Sequence, residues 1–222
     1  VIKLDISRDE YMNKLLNDIK KIDYIKAEDI PNIELYMDQV TTYMDKHLKS
    51  NIRDKDDKML TKTMINNYTK NNLLPPPNKK KYTKEHMILL IFIYYYKNIL
   101  SITDIQNILN PLTEMYYQSD MGIDLEDIYS EVFNLEKEHI DLLVKDVMKK
   151  YTRSKSTFEK APEEEKDFLS TFSMICMLSF DVYVKKAIIE RLIDSMNVSQ
   201  NDEDKPKKKK EKEAEKASPK KE

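Results

Sequence analysis

The chain carries a single glycine, Gly122, in 222 residues. Glycine takes left-handed backbone without steric cost, so phosphate-cradling loops, dinucleotide fingerprints and tightly turned β-folds depend on it. A chain with one glycine is directed toward helices. Hydrophobic residues make up 40% and charged residues 35%, which permits a core but not a generous one. One cysteine, Cys176, and three histidines, His47, His86 and His139, rule out a disulfide framework and thiolate-rich metal sites. No cofactor and no metal is expected. No nucleophile motif or Gly-rich turn surrounds the many carboxylates, so the chain is not expected to be an enzyme.

The net charge of −2 is unevenly spread. Residues 61–84 carry six lysines and no acid, whereas residues 112–198 are net −7. A basic segment on an acidic chain points to an anionic partner at one face. Basic residues are 34 lysines and four arginines, and Asn, Ile and Tyr are also abundant. That bias fits an AT-rich coding sequence and discounts the lysine runs.

No signal peptide is expected, because no apolar run follows a basic start. Val1 in first place points to a missing initiator Met or upstream segment. The apolar runs 87–96 and 168–184 are too short or too interrupted by polar residues to span a bilayer. They read as buried helices of a cytoplasmic protein.

Helix signals organise the chain. Ser7 and Glu10 form a capping-box signature ahead of Tyr11, Leu15, Ile19 and Ile22, which predicts a helix over 8–26. Pro31 breaks the chain, and a second helix runs from about Leu35 to Lys49. The charged residues 50–60 read as a loop. Thr61 caps a helix over 62–73. Pro75, Pro76 and Pro77 then force an extended segment. Thr83 caps the next helix to about Asn98, and Ser101 with Asp104 opens a short helix that Pro111 ends. After a linker, Leu125, Ile128, Val132, Leu135, His139 and Leu142 form the stripe of a helix to about Lys150. The last helix runs over 163–197, with Phe168, Phe172, Ile175, Val182, Ile189 and Ile193 on one side. The Lys/Glu-rich tail 199–222 should be disordered. No strand alternation is convincing. His86 reads as a capping or packing residue, His139 as a core or interface residue, and His47 as exposed. Cys176 reads as an inert buried thiol, and the three tyrosines 94–96 as core.

The segment from Thr61 to Tyr82 concentrates side chains that suit nucleic acid. Lys62, Lys70, Lys79, Lys80 and Lys81 can neutralise phosphates. Asn66 and Asn67 can pair bidentately with adenine, and Thr61 and Thr63 can bond bases or phosphates. Positions 62, 63, 66, 67 and 70 lie close together on a helix, while Met64, Ile65 and Tyr68 can turn to a core. Such a division suits a recognition helix, although a solvated surface helix has the same polarity. The lysines 79–81 and Tyr82 follow on a proline-stiffened loop.

The order of elements resembles the N-terminal winged helix-turn-helix of the MerR-type transcription regulators. In that family a Ser/Thr caps the second helix, two tyrosines often follow an arginine, and a Gly-Leu-Leu-Pro-like exit leads to the wing. Thr61 stands at the cap, Ile65 at the apolar position, Tyr68 at the second tyrosine, and Asn72-Leu73-Leu74-Pro75 at the exit. Tyr82-Thr83, then Leu89 and Ile93, match the segment after the wing; Leu100, Ser101, Ile102 and Ile105 match the fourth helix. Residues 33–109 also resemble an uncharacterised bacterial family of MerR-like proteins. Asn66 replaces the usual arginine, which removes a strong phosphate or guanine contact. The wing is short, the 50–60 loop lengthens the turn between the first two helices, and one cysteine gives no basis for Cys-based metal sensing.

The expectation is therefore an all-α protein: an N-terminal helix (1–32), a winged helix-turn-helix-like unit (33–111), an acidic helical module (112–198) and the tail. Its resemblance implies sequence-specific double-stranded DNA binding and transcription regulation, with a homodimer reading an inverted repeat. The competing expectation is a helical protein-interaction module that keeps the skeleton without binding DNA. Membrane association through 168–184 is a third, weaker one.

Overall fold

The computed structural model describes residues 7–20, 25–48, 60–119 and 122–216. Along the chain run α1 (Arg8–Lys20), a 3-10 turn (Ala27–Asp29), β1 (Leu35–Tyr36), α2 (Met37–Leu48), α3 (Lys62–Lys70), β2 (Lys81–Tyr82), α4 (Lys84–Tyr96), α5 (Ile102–Tyr116), α6 (Leu125–Lys155) and α7 (Glu163–Lys216). The described residues are mostly helical, with one two-stranded sheet. Among them, no helix is long and apolar enough to cross a membrane.

A helix that is apolar on every side must be surrounded, and α4 is. Its residues 87 through 94 are all buried. Val40, Met44 and Leu48 of α2, Ile65 and Tyr68 of α3, and Ile105 and Leu109 of α5 belong to the same core. Leu125 and Tyr129 from the start of α6 complete it. The Tyr129 ring meets Phe92 edge-on at 5.6 Å and Phe133 at 4.2 Å. Its hydroxyl donates to the backbone carbonyl of Ile25 and so joins the two ends of the core.

The caps fall where the sequence places them. Ser7 and Glu10 bond reciprocally at the start of α1, and Ser101 and Asp104 do so at α5. Asp124 and Asp127 form a further capping box at α6.

Several boundaries differ. The first helix ends at Lys20, and a 3-10 turn occupies 27–29. Residues 21–24, with Ile22, lie outside the described residues, as does the expected loop except Leu60, which is buried. Leu16 is the buried residue of α1, while Tyr11 and Leu15 remain exposed. Leu35 opens a strand rather than a helix, because its partner Tyr82 satisfies the backbone in an antiparallel ladder. Two-residue strands leave no alternation to read. Pro111 lies inside α5: Ile105, Leu109, Leu112 and Tyr116 keep helical spacing on the core, and their burial outweighs a proline cost of about 3 kcal/mol.

The apolar stripes of the last two helices are mostly not core. Val132, Leu135 and Leu142 of α6 are exposed, as are Phe168, Phe172, Ile175 and Val182 of α7, and only Ile193 of that set is buried. His139 is exposed, and so is Cys176, contrary to the buried thiol expected. The two helices pack against each other, and Val144, Tyr151 and Ser154 of α6 and Ser170 and Met174 of α7 are buried. The hydroxyl of Tyr151 donates to Asp9 at 2.5 Å, which ties α1 to α6. Helical backbone continues to Lys216, across most of the segment expected to be disordered.

The shortage of glycine is met by other residues. The end of α3 is a Schellman turn: Leu73 N–H bonds Tyr68 O at 2.9 Å and Asn72 N–H bonds Thr69 O at 3.2 Å. Asn72 takes the left-handed position at φ 55°. Asn72→Gly should leave thermal stability unchanged or raise it. Asn72→Val should lower it by about 1–2 kcal/mol, read as a denaturation midpoint shift.

Candidate nucleic-acid interface

The polar segment found in the sequence folds into two adjoining pieces, α3 and a tight turn. Thr61 caps α3: its hydroxyl accepts the Met64 N–H at 3.2 Å. Ile65 and Tyr68 are buried, and Lys62, Thr63, Asn66, Asn67 and Lys70 are exposed. The first turn of α3 has no acidic residue, so the positive end of the helix dipole is unopposed there by its own side chains.

Beyond the prolines, residues 78–81 make a two-residue hairpin turn. Lys81 N–H bonds Asn78 O at 2.9 Å. Lys79 and Lys80 sit at φ 48° and 66°. Two successive left-handed residues define a type I′ turn, which favours Asn-Gly. Here two lysines occupy it, both exposed.

The lysines are not equivalent. Lys62 forms an ion pair with Asp38. Lys81 is 2.9 Å from Glu34, whose hydrogen bond raises the lysine's pKa above its ordinary value. Lys84 is 2.7 Å from Glu126. The segment without acids in sequence thus acquires them in space, from Glu34 and Asp38 before it in the chain and from Glu126 of α6 after it. The lysines on the face that form no ion pair among the described residues are Lys70, Lys79 and Lys80. Tyr82 does not belong to the surface: it is 2% exposed. Pairing with Leu35 turns it into the core, where burial raises its hydroxyl pKa. Sequence reasoning missed Asp38 and Glu34, because Glu34 reaches Lys81 only through the β1–β2 register and Asp38 reaches Lys62 only through the packing of α2 against α3.

His86 fixes the turn to the helices. Its Nδ1 accepts the Thr83 N–H at 3.0 Å, the bond expected of an N-terminal cap residue. Nε2 therefore carries the proton and lies 3.2 Å from the Tyr117 hydroxyl. Its ring meets Tyr82 and Tyr117 edge-on at 5.5 and 5.3 Å. Gln106 of α5 donates to the Asn71 carbonyl at the end of α3 at 2.5 Å. Helix α3 and the turn are thereby braced from behind. Among the described residues, no group of three or more His, Cys, Asp or Glu could hold a metal ion.

Residues 25–133, just under half of the chain, match a family model described as a domain of unknown function (DUF1836). The matched span starts at Ile25, whose carbonyl accepts from Tyr129, and ends at Phe133 beside that ring. No curated protein and no solved structure matches the chain.

Burial lowers the His86 pKa, with the backbone carbonyls of Pro75 and Pro76 pulling the other way. The unfolded chain then binds a proton, near pH 6.5, before the folded chain does. Stability should fall as pH drops below about 6.5. His86→Gln keeps an acceptor for Thr83 N–H and removes the titration. Melting midpoints from pH 7.5 down should fall less steeply in this variant than in the parent.

Proposed function

We propose that the N-terminal half is a winged helix-turn-helix of the MerR type that binds double-stranded DNA, and that the protein is a homodimeric transcription regulator. One observation carries this reading: the exposed lysines 79 and 80 are held in left-handed backbone at φ 48° and 66°. Such a conformation costs about 1–2 kcal/mol per non-glycine residue. An Asn-Gly pair would close the same turn at lower cost. Retained strain of this kind clusters at functional sites, and here it presents two cations beside α3.

The order strand, helix, helix, turn, strand, helix, helix supports the resemblance. In this reading α3 enters the major groove. An α-helix with its side chains is about 10–12 Å across, which fits the groove width of about 12 Å. Thr63, Asn66 and Asn67 face base edges, and the helix N-terminus with Lys70 favours phosphate. Lys79 and Lys80 grip the flanking backbone. Lys62 and Lys81 reach DNA only by exchanging Asp38 and Glu34 for phosphate, and Tyr82 acts from the core by holding the strand. So few contacts read one half-site weakly, which is why two copies on an inverted repeat are the natural unit.

The test is fluorescence-anisotropy titration of the full chain with duplex DNA from its own upstream region and with scrambled duplex, across a salt series. A Lys79→Asn/Lys80→Gly variant should fold more stably yet bind less tightly. Its log–log salt slope should be smaller by about 2 for each subunit bound. Asn66→Ala should narrow the preference for the upstream duplex by about 1–3 kcal/mol. Equal weak binding to both duplexes, unchanged in the lysine variant, would remove this reading and favour the protein-interaction module.

A further inference from the structure

Helix α2 gives Val40, Met44 and Leu48 to the core. Its other side, together with Pro31, borders a groove of about 490 Å³. Small-ligand sites typically hold about 300–1,000 Å³. Pro31, the buried Leu35 and the ring of Tyr43 make the groove apolar. The His47 ring stacks on Tyr43, with centroids 4.3 Å apart and planes 25° from parallel. A flat aromatic surface therefore borders the groove, and it suits a planar ligand.

The polar groups of the groove are unbalanced. Tyr43 donates its hydroxyl proton to the Asp29 carbonyl at 3.0 Å, and Thr42 donates its own to the Asp38 carbonyl at 2.7 Å. The Asp38 carboxylate already has a cation, Lys62. Gln39 accepts the Tyr36 N–H on Oε1 at 2.8 Å, which leaves the amide N–H groups of that side chain. Lys46 lines the groove, is exposed, and forms no ion pair among the described residues. His47 adds a ring N–H in either tautomer. The groups left over are thus donors, one of them cationic. A cationic ligand would find no free carboxylate here, and an uncharged ring would gain nothing from Lys46. An anion on an apolar, planar body matches both halves of the groove.

We propose that this groove binds a small aromatic carboxylate, with its ring against Pro31, Leu35 and Tyr43 and its carboxylate on the Lys46 ammonium. The inference stands on the groove alone and does not depend on DNA binding.

The chain has no tryptophan, so the fluorescence of naphthoate can be followed without overlap from an indole. Titration of naphthoate with the full chain should saturate, with a dissociation constant of about 1 mM or below. Naphthylmethanol, the same ring without the charge, should bind about tenfold more weakly. Lys46→Gln should weaken naphthoate by about fivefold to tenfold and leave naphthylmethanol unchanged. Thr42→Phe, at an exposed position, should keep the helical circular dichroism and occlude the groove to both probes. Absence of saturation by about 10 mM naphthoate would overturn the site. So would binding indifferent to both substitutions, which would put the probe on the exposed aromatic side chains of α7. Equal affinity for the charged and uncharged probes would overturn the assignment of a carboxylate.

Discussion

The fold is organised by the need to surround α4. Nine successive residues of that helix, His86 through Tyr94, are buried, so every neighbouring element must offer it an apolar side. The α3 helix does so with Ile65 and Tyr68, and that choice forces Asn66, Asn67 and Lys70 outward. The polar face of α3 is thus a by-product of covering α4. Its position is held from the other side by His86, at the start of the same helix. A buried neutral imidazole that accepts from Thr83 and packs between Tyr82 and Tyr117 couples the strand, the turn and α5 to α4.

Legibility in the sequence followed the range of the interaction. Caps depend on residues three apart, so those of Ser7, Thr61 and Ser101 could be read directly. The role of His86 was legible for the same reason. Long-range facts were not. Nothing local announces that Leu35 pairs with Tyr82, and that pairing alone buries Tyr82 and brings Glu34 to Lys81. A proline is a local signal, yet it misled at Pro111, where tertiary packing of Ile105, Leu109, Leu112 and Tyr116 overrode it. Apolar periodicity located α6 and α7 but did not identify their partners, because a stripe facing its own core and one facing solvent have the same spacing.

Scarcity of glycine has a consequence at the candidate interface. The chain needs left-handed residues to end α3 and to close the turn before β2. It uses Asn72 at the first, a residue that tolerates this backbone. At the second it uses Lys79 and Lys80, which do not share that tolerance. Two neighbouring sites with the same backbone demand thus received different chemistry. A codon bias toward lysine and asparagine explains why both residue types are at hand, but asparagine was equally at hand for the turn. Local propensity and local charge conflict there.

Helix α7 also sets local chemistry against packing. A helix packing on one neighbour ordinarily turns its most apolar side inward. Here the inward side includes Ser170 and Asp181, held to α1 and α6 by hydrogen bonds and ion pairs to Arg8 and Lys150, while aromatic side chains face outward. Polar contacts of that kind fix orientation more than they stabilise, so they determine which face of α7 is spent within the chain. The face left over is the one with the larger apolar area. Hydrophobic gain follows area removed from water, whatever removes it, and on α7 the aromatic side chains Phe168, Phe172, Phe180 and Tyr183 remain in water.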